Sequence, residues 1–138
     1  MTAEAAFNLG VNIDHGNLVY HQYPTSFRVD VTGKKGPTPG AMSASVDGTD
    51  VDLSELVTPT ICVIRNLDAT NFVEVGVWDG TEFYPLMEIG PGEHYPFKLS
   101  RNLGNSYGTG TATVDTTHNL RIKADTAACN VYVGAFEK

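Results

Sequence analysis

Histidine, cysteine and carboxylate side chains are the groups in this chain with chemistry to offer, and their spacing decides what they can do. The four histidines, His15, His21, His94 and His118, lie far apart, and none forms an HxH, HExxH or HxxxH pair. Metal-dependent enzymes built on small β-barrels need such a pair on one strand with a further carboxylate and histidine. Pro91-Gly92-Glu93-His94 carries only a fragment of that pattern, at the wrong spacing. Cys62 and Cys129 stand in separate apolar runs without CxxC spacing, so each reads as a small buried hydrophobe with a free thiol. A bridge between neighbouring strands is the alternative. Asp47, Asp50, Asp52 and Glu55 form an acidic cluster, but a calcium loop requires ligands at fixed odd spacings and a closing bidentate glutamate. The cluster reads instead as a turn or strand edge whose charges discourage further pairing. Nucleophile signatures such as GxSxG are missing, and Gly108-Thr109-Gly110 lacks the lysine and the following helix of a phosphate loop. The expectation is a chain with no catalytic residue, no metal and no cofactor, and therefore not an enzyme.

Aromatic residues offer a different chemistry. Trp78, Phe83 and Tyr84 flank one turn, and an exposed platform there could stack on sugars or fill a partner's pocket, although the same residues could cap one end of a core. Nucleic acid is not an expected partner. Lys plus Arg total 9 against 16 Asp plus Glu, the net charge is −7, and phosphate binding needs clustered cations. Lys34 and Lys35 are the one adjacent basic pair and sit in a turn, where they read first as solvated. The start MTAEAAFNLGV has neither the basic region nor the apolar run of a secretory signal, and no stretch is long enough to span a membrane, so neither export nor a membrane partner is expected.

The elements that must hold these groups are strands. At 138 residues, with 41% hydrophobic and 18% charged residues, one folded domain is the default. Alternation of apolar residues with a period of two, broken by Gly, Pro, Asn and Asp, recurs from about residue 17 onward. Phe72 to Trp78 and Glu82 to Ile89 should pair across Asp79-Gly80, with Pro85 at a sheet edge or a bulge. Glu93 to Leu99, His118 to Ala124 and Ala128 to Phe136 follow, the last with Cys129, Val131, Val133 and Ala135 facing inward. Thr60 to Leu67 reads as a central strand, and Leu18 to Gln22, Phe27 to Thr32 and Ala41 to Val46 as weaker ones. Asp52 to Val57 is the one helix candidate, limited to a turn or two. The pattern predicts an all-β fold, an antiparallel β-sandwich of about eight strands and jelly-roll-like, spanning residues 17–138. Residues 1–16 show no sustained alternation, because Asn8, Gly10, Asn12, Asp14 and Gly16 break it, and are expected to form an extended N-terminal arm. Residues 33–40 and 104–113 are expected to be loops.

One resemblance lies in the second half. The elements Asn66-Leu67-Asp68, Thr70-Asn71, the valine-rich run 73–77, Pro85-Leu86, Pro91-Gly92-Glu93 and the final alternating run with Ala128-Cys129 follow one another as they do in similar chains. Over about residues 60–138 the chain resembles small virion proteins of tailed bacteriophages, most of all head decoration (cement) proteins. The resemblance implies a structural protein made in the host cytoplasm and carried on the capsid surface of the virion. It further implies binding to the major capsid protein and to itself as a homodimer or homotrimer, without a cofactor. In that case the contacts are expected from the arm, through Phe7, Leu9, Val11 and Ile13, and from the loops, through Lys34, Lys35 and Tyr107, with Trp78, Phe83 and Tyr84 as further candidates. The competing expectation is a carbohydrate-binding β-sandwich module of a phage tail or fibre, stacking sugars on Trp78, Phe83, Tyr84 and Tyr107.

Overall fold

The period-two runs become strands throughout the computed structural model, which describes residues 4–31, 33–100, 103 and 119–138. The chain divides into two units, Met1–Thr32 and Gly33–Lys138. Every sheet is antiparallel, and no helix occurs among the described residues.

The first unit is a two-stranded ribbon, β1 (Glu4–His15) against β2 (Leu18–Asp30). This corrects the expected arm. Asn8, Gly10, Asn12 and Asp14 do not interrupt a period; they are its other phase, the opposite face of a strand whose first face is Ala5, Phe7, Leu9, Val11 and Ile13. The sandwich accordingly begins at Gly33 and not at residue 17.

Among the described residues the second unit holds eight strands: β3 (Thr38–Ala44), β4 (Thr49–Asp50), β5 (Pro59–Asn66), β6 (Val73–Trp78), β7 (Phe83–Ile89), β8 (His94–Lys98), β9 (Asn119–Ala124) and β10 (Cys129–Glu137). They form two four-stranded sheets in the orders β3-β10-β5-β8 and β4-β9-β6-β7. The inward phases of both sheets supply one core. Cys62, Ile64, Val131, Val133 and Ala135 come from the first sheet, and Val73, Val75, Ile89, Leu120, Ile122 and Ala124 from the second. The expected β-sandwich is therefore present, and Cys129, Val131, Val133 and Ala135 all face inward. Pro85 lies on the edge strand β7 beside a register shift, as expected of a residue that cannot donate to a ladder. The shift brings the β7 backbone so close to β6 that a Cβ on Gly76 would stand 2.0 Å from the Tyr84 carbonyl oxygen. Only glycine fits there.

Two local expectations are corrected. Asp52–Val57 is not helical: Asp52 Oδ1 accepts a hydrogen bond from the Ser54 amide (2.9 Å), and the bonds to Ser54 hold the Asp52 carboxyl below its usual range. That turn directs Val51, Leu53 and Leu56 into the core, the last two at the i, i+3 spacing of a helix face. Residues 33–40 are also not all loop, since Thr38, Pro39 and Gly40 already belong to β3.

One buried polar group ties the strand ends together. Asn66 is 1% exposed. Its Nδ2 donates to the carbonyls of Asn71 (2.8 Å) and Ile89 (3.1 Å), and its Oδ1 accepts from the Asp68 amide (2.9 Å). Its backbone accepts from Gly92 N and donates to Glu93 O. Replacing Asn66 by alanine removes the donor to the buried contact at the Ile89 carbonyl and to the part-buried one at Asn71, so Asn66→Ala is expected to destabilise the protein by about 2–4 kcal/mol. Urea unfolding would show this as a lower midpoint at an unchanged slope.

Candidate functional site

A two-residue loop, Gly16-Asn17, joins β1 to β2, with Gly16 at φ 58° in the position that such hairpins reserve for glycine. The register sets Ala5, Phe7, Leu9, Val11 and Ile13 opposite Val29, Phe27, Thr25, Gln22 and Tyr20, and His15 opposite Leu18. One face of the ribbon is thus mostly apolar, with Thr25, Gln22 and His15 as its polar members. The other carries Asn8 opposite Ser26 and Asn12 opposite His21, with an ion pair between Arg28 and Glu4. His21 Nδ1 and Asn12 Oδ1 lie 3.2 Å apart. Phe7 and Phe27 stack with ring centroids 5.0 Å apart, and Phe7 is buried. The rest of the apolar face is open: Leu9, Val11, Ile13, Leu18, Tyr20 and Phe27 are each between 38% and 60% exposed. An exposed apolar face of this kind makes the ribbon the candidate contact surface.

Four of the residues expected to make contacts, Phe7, Leu9, Val11 and Ile13, therefore share one face of one strand. Leu18, Tyr20 and Phe27, which complete that face, did not enter the sequence expectation. The signal that could have found them is Gly16-Asn17 between two alternating runs, a hairpin dipeptide.

The aromatic turn is arranged differently. Trp78 pairs with Phe83 and Tyr84 with Val77, so Tyr84 belongs to the opposite phase of the ladder from Trp78 and Phe83. The three rings do not form one platform. The Arg121 guanidinium carbon sits 3.8 Å from the centroid of the Trp78 ring, and Arg121 Nε donates to Asp50 Oδ1, which fixes the cation in place. One face of the indole is thereby taken. The Tyr84 hydroxyl donates to Asp79 Oδ2 and Glu82 Oε2, both at 3.2 Å, and these carboxylates, Asp79 first, raise its pKa. Asp79 Oδ1 also accepts from the amides of Thr81 and Glu82, so its carboxylate builds the turn. Lys34 and Lys35 are exposed in the segment before β3. Tyr107 and the expected loop 104–113 lie outside the described residues.

Among the described residues no three His, Cys, Asp or Glu side chains come together as a ligand set. Cys62 and Cys129 are free and buried. Cys62 lies opposite Ala135, six positions along β10 from Cys129, a separation of about 20 Å that no disulfide spans. Burial pushes the Cys62 thiol up to about 12 from an ordinary 9.0. Cys129 is raised by burial and then by the charges of Asp68 and Asp125.

No protein-family model matches this chain, and no curated protein or solved structure matches it either.

The Cys62 thiol makes stability depend on alkaline pH. Below pH 9.0 both folded and unfolded chains keep the proton and its contribution is complete; above it the unfolded chain ionises first, so stability falls until the folded thiol ionises near 12. Across that window wild type is expected to lose about 1.4 kcal/mol per pH unit more than Cys62→Val. Urea unfolding of both proteins through the window measures the difference, and equal slopes would mean that the thiol titrates alike in both states.

Proposed function

We propose that this chain is a structural virion protein that binds the outer surface of a tailed-bacteriophage capsid and stabilises it. The observation that carries the reading is the open apolar face of the β1–β2 ribbon. A two-stranded hairpin is marginal in water unless its apolar face is covered, and a shell surface offers such cover. The resemblance of residues 60–138 to phage decoration proteins supports the same reading, and the nested pairing of β3 with β10, β4 with β9, β5 with β8 and β6 with β7 supports a jelly-roll-like sandwich. The sandwich supplies a rigid body with a dry core, and the ribbon supplies the contact. Repeated over a capsid lattice, many modest contacts act together to resist expansion of the shell. A sugar-binding role draws less support, because Arg121 covers one face of Trp78 and the three aromatic rings are divided between two faces.

A count of this chain in purified virions by quantitative mass spectrometry tests the reading. Hundreds of copies per particle are expected; absence from the particle would overturn it, and a few copies would move the protein to the neck or tail. Placing a charge on the contact face by Leu9→Lys is expected to weaken attachment to chain-free capsids at least tenfold, the equivalent of one lost side-chain burial of about 1.5–3 kcal/mol.

A further inference from the structure

Sheet edges are where chains meet, and this protein treats its edges unequally. In the sandwich, the edge strands β3, β7 and β8 contain Pro39, Pro85 and Pro96, and β4 is two residues long. In the ribbon, β2 contains Pro24, beside the register shift that separates the Leu9–Thr25 pair from the Val11–Gln22 pair. Proline removes a ladder donor and blunts an edge. Among the described residues β1 is the one edge strand longer than two residues that has no proline. It pairs with β2 on one side, and among the described residues no strand lies on the other.

We propose that the free edge of β1 pairs antiparallel with β1 of a second copy of this chain, joining two ribbons into a four-stranded sheet with one continuous apolar face. Face parity and charge select the register. Apolar faces remain on one side only when odd-numbered residues oppose odd-numbered residues. Two such registers centre closely on the strand. Setting Leu9 opposite Leu9 places Glu4 opposite Asp14 twice, and like charges directly opposite are destabilising. Setting Gly10 opposite Gly10 brings Leu9 to Val11, Phe7 to Ile13, Asn8 to Asn12 and Ala5 to His15, with Asp14 opposite Ala6 and no carboxylate opposite another. The second register is the one assigned. It closes by two-fold symmetry and yields a dimer, not a ring or a fibre. It also supplies the third and fourth strands that a ribbon needs for independent stability. The pairing uses the strand edge and leaves the apolar face free, so it holds whether or not that face binds a capsid.

The test uses the full chain in solution. Sedimentation or light scattering of the unmutated protein is expected to give twice the 14.8 kDa chain mass, whereas a monomer throughout the micromolar range, or a trimer, would overturn the proposal. Asn8→Cys and Asn12→Cys, both on the exposed polar face, then read the register. Mild oxidation of an equimolar mixture of the two variants is expected to form a mixed disulfide dimer. Neither variant alone should crosslink through the new cysteine, because a residue and its own copy lie about 13 Å apart in this register. A crosslink formed by Asn8→Cys alone, or none from the mixture, would overturn it. Thermal unfolding of the reduced variants checks that each folds as wild type does, and the mass measurement requires no variant.

Discussion

A single buried amide holds the sandwich in register. Asn66 ends β5, and from there its side chain and backbone reach the loop at 68–71, the end of β7 at Ile89 and the turn at Gly92 and Glu93. These contacts fix where β5 stops, where β6 can start and how β7 turns into β8, which crosses from one sheet to the other. The hydrophobic core is less particular: several sets of valine and isoleucine could fill the space between two sheets. An apolar core drives collapse without direction, whereas a polar group that must find three partners admits few arrangements. Asp68 extends the same device outward by accepting from the amides of Thr70 and Asn71, bonds that keep its carboxyl below the usual range.

This explains why the sandwich was legible in the sequence and the ribbon was not. In β6, β9 and β10 one phase of each strand is buried against the opposite sheet, so alternation is strong, and in β5, where Thr60, Ile61, Cys62 and Ile64 are all buried, the run is apolar almost throughout; the boundaries are off by a residue or two. The run Asn66-Leu67-Asp68, which helped carry the phage resemblance, is a structural hinge in the fold. In β1 the alternation is equally regular, but its polar phase is Asn, Gly and Asp, the residue types that elsewhere mark turns, and composition outvoted periodicity. Leu53 and Leu56 misled in the opposite sense: three apart, they suit one face of a helix, while the Asp52 side chain bends the backbone into a turn that buries both together with Val51.

The aromatic turn shows a second limit of sequence reading. Trp78, Phe83 and Tyr84 are close in sequence, but hairpin register and not proximity decides which side chains share a face. The Arg121 cation over Trp78 comes from β9, more than forty residues away, and could not have been read from the turn itself. In the ribbon, by contrast, Phe7, Leu9, Val11 and Ile13 share a face because of strand geometry alone, since residues two apart on a strand point the same way.

The prolines of the sandwich edges have a consequence for how this protein behaves in a crowded solution. Pro39, Pro85 and Pro96 each interrupt a row of backbone donors, and the chain as a whole carries a net charge of −7. Copies pressed together therefore find no long ladder to extend on the described edges of the sandwich and repel one another at distance. Where two sandwiches meet at these edges, the ladder of one cannot run on into the other for more than a few residues.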